Sequence, residues 1–344
     1  MASTEFARER GWRRLRKHAM MTVYRAASRL VYKKSTHADW MYEKMRRPST
    51  AAALAFNLLG YYRGRPRIPT PVTAMVEPVF GCNLRCRTCW GTLNLQDRRP
   101  PRMPLDLFKK VVDEMPRTVE SICFSLMGEP LLHEQLHEMI AYASESGFRT
   151  ILFTNGTLLK DEKLEQLAAA PLNVLNMSIE ADPDNADYMR GVNLDELRAN
   201  LTEFIQKKRE PTEVKLSLVA HPRNLAHVPD VHAQWRDLVQ HIKVSPRLGL
   251  AEEPGPPPLC MEPWRGNLNI YTNGEVSPCC CDWFTELSIG NVTEHPLGEV
   301  VRGARYKQLL DGFLRGEVPN VCLYCREFTV EGAPLRLRKR YTKQ

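Results

Sequence analysis

The sequence predicts an α/β protein built on a parallel sheet and followed by a small second module. Three observations carry this prediction. From residue 72 onward, apolar runs of strand length alternate with amphipathic stretches of helix length, the pattern of a parallel sheet that is either closed or doubly wound. The strand-like runs are apolar throughout rather than at alternate positions, as expected where helices cover a sheet. The alternation stops at a proline-rich joint, residues 251–259, and a hairpin and a helix follow it.

Residues 48–62 read as a short apolar helix. Residues 63–71, with Pro66, Pro69 and Pro71, read as an extended linker, because proline fixes φ and removes a donor. Strands and helices then follow as 72–80 and 105–115, 121–126 and 134–145, 150–153 and 161–169, 174–179 and 194–208, and 214–220 and 228–239, with a last strand near 241–244. We read this as six βα units. Past the joint, 267–271 and 275–278 flank Asn273-Gly274, a pair suited to the positive φ of a tight hairpin turn, and 297–314 reads as a helix. The resulting boundaries are 1–71 for a basic helical extension and linker, 72–250 for the sheet domain, 251–330 for the second module and 331–344 for a basic tail.

A chain of 344 residues with 43% hydrophobic composition has room for a full core and a smaller module. The formal net charge is +8, and residues 1–50 hold 13 Lys and Arg against four acids. This head, with Trp12, Leu15, Met20, Val23 and Leu30 interspersed, reads as a solvated helix over part of the sheet domain. Peripheral contact with an anionic membrane is the second reading and nucleic acid the least favoured. The longest apolar run, 51–59, falls far short of the roughly 20 residues that span a bilayer. Ten cysteines without a secretory signal pattern indicate metal ligands and a reducing, cytoplasmic setting rather than a disulfide frame.

Three of those cysteines, Cys82, Cys86 and Cys89, follow the first strand run and Gly81. Strand side chains alternate faces, so the backbone must wrap these thiols together as a loop. Soft thiolates select iron–sulfur clusters or zinc, and three of them without a nearby histidine leave one metal of a cubane open for chemistry. The spacing, three residues and then two between the cysteines, resembles the motif of the radical S-adenosylmethionine (SAM) superfamily.

That resemblance implies a partial (βα)6 TIM-type barrel with its site at the C-terminal ends of the strands. Met127-Gly128-Glu129-Pro130 looks like the family's Gly-Gly-Glu motif with Met127 in place of the first glycine, so Gly128 and Glu129 are expected to hold the methionine amino group of SAM. Ser178 and Glu180, on one face at the end of the fourth strand, match a ribose-contacting serine and acid. Asn224 resembles a family position close to SAM, and Thr154-Asn155-Gly156 a tripeptide that shapes the pocket. The residue before the third cysteine, often an aromatic near adenine in the family, is Thr88 here, with Trp90 just past the motif.

Beyond the joint, Cys260, Trp264, Gly274 five residues before Cys279, and Cys322-Leu-Tyr-Cys325 resemble the SPASM/twitch extension of radical SAM enzymes in its short form. The resemblance implies Cys260, Cys279, Cys322 and Cys325 as ligands of an auxiliary [4Fe–4S] cluster, with Cys280 and Cys281 as alternatives to Cys279. A structural zinc site is the competing reading. Cys123, inside an apolar strand, reads as core, and His133 with His137 as a solvated pair.

By the same resemblance the chain is an oxidoreductase- or lyase-type enzyme. It would cleave SAM reductively at a [4Fe–4S] cluster and use the 5′-deoxyadenosyl radical to abstract hydrogen from a substrate, with flavodoxin or ferredoxin as reducing partner. With no evident leader-peptide-binding domain ahead of the barrel, a small metabolite (sugar, cyclitol, nucleoside or lipid-linked) is favoured over a peptide. A peptide-modifying maturase is the alternative, and a zinc-stabilised nucleic-acid- or partner-binding protein is the rival from another class.

Overall fold

Six strands run parallel and lie side by side in chain order: β1 (Thr73–Val76), β2 (Ser121–Phe124), β3 (Arg149–Thr154), β4 (Val174–Ile179), β5 (Glu213–Ala220) and β6 (Ile242–Pro246). The computed structural model describes residues 47–87, 89, 100–239, 241–246 and 260–325. The basic head, Thr88, Trp90, the proline-rich joint and the basic tail, with the readings made of them, lie outside the described residues.

A strand order that never doubles back means that every crossover moves the same way, and right-handed connections then leave the helices on one face. Burial follows that rule. Ala74, Val76, Ile122, Phe124, Leu152 and Leu175 share one core with Phe108, Met139, Leu164 and Leu201 of the helices. On the opposite face Cys123, Ile151 and Val174 form a small separate cluster with Met75 and Phe153, which makes Cys123 core as expected. Among the described residues β6 pairs only with β5, so the barrel is partial and the doubly wound alternative falls.

The second module continues the same sheet. Its strands β7 (Asn267–Ile270), β8 (Glu275–Ser277) and β9 (Gly290–Asn291) extend the order to nine. The β7–β8 hairpin turns at Gly274, φ 83°, as its sequence predicts. Its docking was not predicted: β7 pairs in parallel with β1, Thr73 opposite Asn267 and Val76 opposite Ile270.

Several elements differ from expectation for local reasons. The first strand is shorter than 72–80, since Pro78 lacks the ladder donor. Leu126 takes φ 91° in the turn after β2, which cuts the second strand short of 126. The region 228–239 holds only a 3-10 turn, Val228–Asp230, and a five-residue helix, Val231–Trp235, and 297–314 splits into Leu297–Val300 and Ala304–Arg315. A helix over Pro183–Arg190 was missed, although Asp182 caps it through Asn185 N–H at 3.0 Å and Gly191 ends it at φ 67°.

His133 does not form a solvated pair with His137. The helix begins later, at Leu136, and His133 is buried. Its Nε2 lies 3.0 Å from Met103 O, and its Nδ1 accepts from Gln135 N–H at 3.1 Å. The neutral ring satisfies both bonds.

Trp264 joins the N-terminal helix to the second module. It is buried, its Nε1 donates to Arg65 O at 3.0 Å, and its ring lies 5.5 Å from Tyr61 and 6.2 Å from Phe313. Trp264→Ala is expected to cost about 3–5 kcal/mol in chemical denaturation. Burial holds the His133 pKa below its usual 6.5. Its stabilising contribution is therefore complete above 6.5 and lost as pH falls through the folded pKa. Thermal unfolding midpoints should drop between pH 7 and 5 by an amount that His133→Gln, which keeps a donor for Met103 but does not titrate, removes.

Candidate functional site

Past β1 the chain turns at Gly81, φ 132°, into the cysteine loop. Gly128, in the turn after β2, faces that loop so closely that a Cβ would stand 2.1 Å from Val79 O and 2.6 Å from Gly81 O. Only glycine permits this approach. The next residue completes the junction, Glu129 N–H donating to Gly81 O at 3.0 Å.

The Glu129 carboxylate turns inward. It is 2% exposed, with Oε1 accepting from Thr154 Oγ1 at 2.7 Å and Leu131 N–H at 3.0 Å and Oε2 accepting from Asn155 N–H at 2.7 Å. Burial pushes its pKa up, and these donors oppose the shift. Asn155 carries the contact onward: its Nδ2 donates to Cys82 Sγ at 3.6 Å and to Asn83 Oδ1 at 3.0 Å, while Leu84 N–H donates to the same sulfur at 3.4 Å. The strand-end tripeptide thus reaches a cysteine sulfur, a contact that sequence spacing did not reveal.

Cys86 is half-buried and Cys89 exposed. Burial pushes Cys86 up to about 11, against the pull of the Arg190 guanidinium, and the neighbouring Cys89 and Cys82 add to the rise. Burial raises Cys82 as well. Such thiols are protonated at neutral pH, so a metal that takes them releases protons.

Glu180, at the end of β4, is buried and paired: Arg190 Nε donates to its Oε1 at 2.9 Å, Asn224 Nδ2 to its Oε2 at 3.2 Å, and His221 Nε2 lies 3.5 Å away. Asn224 also closes its own loop, accepting from His221 N–H at 2.8 Å and donating to Val219 O at 2.9 Å. Ser178 is half-buried on β4. Arg190, which joins Glu180 to the surroundings of Cys86, was not singled out from sequence because its helix was missed. The Asp182-Pro183 start and the Gly191 stop were the available signal.

The second thiol group surrounds the β7–β8 hairpin. Cys260 Sγ accepts from Glu262 N–H at 3.4 Å and Cys279 Sγ from Cys281 N–H at 3.4 Å. Burial and the neighbouring Cys279, Glu262 and Cys325 raise Cys260; burial, Cys279 and Cys325 raise Cys322. The four expected ligands are thus neighbours. Cys281 joins them: the neighbouring Cys279, Cys280 and Cys325 thiols, with burial, raise its pKa well above the usual value. None of the ten cysteines is in a disulfide. Among the described residues no three His, Cys, Asp or Glu close on a single metal ion; in a cubane each thiolate takes a different iron, so its ligands need not meet at one point. Sulfurs that receive N–H donors suit an iron–sulfur cluster, whose ligands are held and tuned by such bonds.

Residues 76–233 match the family model of the radical SAM superfamily, and residues 260–326 that of SPASM, an iron–sulfur cluster-binding domain. The chain belongs to the radical SAM superfamily. Its SPASM domain follows the barrel, and the cofactors implied are a [4Fe–4S] cluster, an auxiliary iron–sulfur cluster and SAM. Among curated proteins it is similar to an AdoMet-dependent heme synthase of Methanosarcina barkeri, 34% identical over 34% of this chain and 33% of the relative. It is also similar to a PqqA peptide cyclase of Bradyrhizobium diazoefficiens, 30% identical over 49% and 44%. The matched stretch therefore spans about a third to under a half of these relatives' length. In fold it resembles native anSMEcpe with bound AdoMet, TM-score 0.57 at 15% identity over 79% of this chain and 96% of that one. Streptococcus suis SuiB bound to S-adenosylmethionine is similar too, TM-score 0.56 at 14% identity over 74% and 69%. Among the described residues no helix is long and apolar enough to cross a membrane.

Replacing Glu129 by Gln should test the junction beneath the cysteine loop. One of its two oxygens becomes an NH2 group facing an N–H or O–H donor, and the loss is expected at about 1.5–3 kcal/mol in chemical denaturation.

Proposed function

We propose that this radical SAM chain cleaves SAM reductively and abstracts hydrogen from a substrate C–H bond at the strand ends of its barrel. The observation that carries the reading is the junction of the cysteine loop with the ends of β2 and β3: Gly128 packed against Gly81, Glu129 bonded to Gly81 O, and Asn155 bonded to Cys82 Sγ. In this reading Cys82, Cys86 and Cys89 hold a [4Fe–4S] cluster, and Cys260, Cys279, Cys322 and Cys325 hold the auxiliary one. When bound, the first cluster supplies the electron that turns SAM into methionine and the 5′-deoxyadenosyl radical.

The chain's own residues position and insulate. Gly128 sets how near the loop comes to the strand ends, and Glu129 fixes the backbone around it. Ser178 is the half-buried hydroxyl on the fourth strand suited to a ribose. Glu180, with its carboxylate shared between Arg190 and Asn224, contributes through its position and its remaining acceptor capacity. Low-potential iron–sulfur chemistry needs an external reductant, a flavodoxin or ferredoxin.

The substrate is read as a peptide, which makes the chain a maturase. The PqqA peptide cyclase relative supports this. A tetrapyrrole is the second reading, supported by the heme synthase relative at 34% identity. The small metabolite favoured by the sequence is the third class for the same substrate screen.

Reconstituted chain should hold about eight iron and eight sulfide and form 5′-deoxyadenosine with dithionite and SAM; Cys86→Ala should fall to about four iron and form none. Colourless, zinc-loaded protein without 5′-deoxyadenosine would sink the enzymatic reading in favour of a zinc-stabilised binding protein.

A further inference from the structure

We propose that Arg87 and Arg223, both stacked on the ring of Tyr188, form an oxyanion-binding site at the barrel mouth that takes a carboxylate or phosphate of the substrate. The proposal rests on the reading of this mouth as the place of reaction. Three segments meet there: the cysteine loop, the helix Pro183–Arg190 and the loop after β5. The Arg87 guanidinium carbon stands 4.4 Å from the Tyr188 ring centroid and that of Arg223 stands 3.9 Å from it. Two like charges held against one ring favour an anion beside them.

Two of the nearby acids are otherwise engaged. Glu180 is bonded to Arg190 and Asn224, and Asp182 to Asn185 through both oxygens. Asp184 and Asp187 are exposed on the same helix and, among the described residues, form no ion pair with either arginine. Arg87 is partly committed: its N–H donates to Met189 O and its Nε to Tyr188 O, each at 2.9 Å. These bonds fix the guanidinium and leave its two terminal nitrogens. Arg223 rests on the ring without a side-chain hydrogen bond to the described residues. A latch between loop and helix needs only Arg87, so the second guanidinium is unexplained by structure alone.

Position and exposure fit a substrate contact. Both arginines are exposed, Tyr188 is 42% exposed and Leu225, two residues past Arg223, 58%. Arg87 directly follows Cys86, and Arg223 directly precedes Asn224, which bonds Glu180. An oxyanion gripped here lies beside the proposed reaction centre. Planar guanidinium forks accept carboxylate and phosphate in pairs of hydrogen bonds, and stacking has already ordered both side chains.

The test is fluorescence anisotropy on reconstituted holoenzyme at about 0.15 M salt, with end-blocked, identically labelled pentaglutamate, pentaglutamine and phosphoserine-containing peptides as probes. The wild-type chain should bind pentaglutamate or the phosphoserine peptide at least about tenfold more tightly than pentaglutamine, and Arg223→Gln should lose about tenfold of that preference. Whichever anionic peptide binds more tightly identifies the group. Tyr188→Phe keeps the ring and should keep the preference. Lys307→Gln, a basic position on the helix Ala304–Arg315, measures the generic effect of one charge. Equal binding of charged and uncharged peptides by wild type overturns the proposal, as does an Arg223→Gln loss no larger than that of Lys307→Gln. Iron content and melting temperature report folding; should Arg223→Gln lose either, Arg223→Lys decides, since it keeps the charge without the fork and must still weaken binding. The readout needs no turnover. A wild-type chain that forms 5′-deoxyadenosine without anion preference overturns this site alone, and one with the preference but no 5′-deoxyadenosine overturns the enzymatic reading alone.

Discussion

The parallel pairing of β7 with β1 is the contact on which both thiol groups depend. It buries β1 between two neighbours, β2 and β7, so the strand that launches the cysteine loop is held from both sides. Backbone bonds extend the ladder past the strand at each end, Val72 N–H to Gly266 O at 2.8 Å and Glu77 N–H to Ile270 O at 2.9 Å. Gly266 makes the approach possible: at φ 77° it brings its backbone where a Cβ would stand 2.2 Å from Thr70 O. The second thiol group flanks β7 and β8, so one ladder sets where both groups stand. Side chains reinforce it from the helix Leu105–Asp113, where Lys110 Nζ donates to Val292 O at 2.5 Å, and from its C-cap, where Glu114 accepts Leu297 N–H at 2.6 Å.

Around this frame the barrel mouth is organised by two buried carboxylates that solve the same problem in different ways. A buried charge without partners is costly. Glu129 is met by backbone and hydroxyl donors and becomes part of the scaffold beneath the cysteine loop. Glu180 is met by a guanidinium and an amide, and through Arg190 its charge pair also bears on Cys86. The positive charge at the mouth on Arg87 and Arg223 meets no such acid among the described residues. That asymmetry is the basis of the proposed oxyanion site.

Much of this was legible in the sequence. The cysteine spacing, the glycine before Glu129 and the strand-end pair Ser178 and Glu180 are local patterns, and their expected roles came from resemblance to the radical SAM family. The five predicted β-α pairs were found, the last with its helix cut to Val231–Trp235, because apolar periodicity reports burial directly. Shorter features were lost where local chemistry was read too coarsely. Pro78 truncated a strand, Gly303 divided a helix, and the helix Pro183–Arg190 was overlooked despite its cap, which also hid Arg190 and Tyr188.

By itself, then, the sequence determined the cysteine spacing, the α/β alternation and the hairpin turn at Asn273-Gly274, because each is encoded by neighbours along the chain. Periodicity left the parallel sheet either closed or doubly wound, and only the tertiary structure decided between these and added the hairpin to β1. It also decided that His133 is buried and neutral, that Asn155 touches Cys82, and that Arg87 and Arg223 share one ring. Those facts join residues from 23 to 194 positions apart in the chain. Such pairings are set by shape, burial and charge in three dimensions, and no window of sequence contains them.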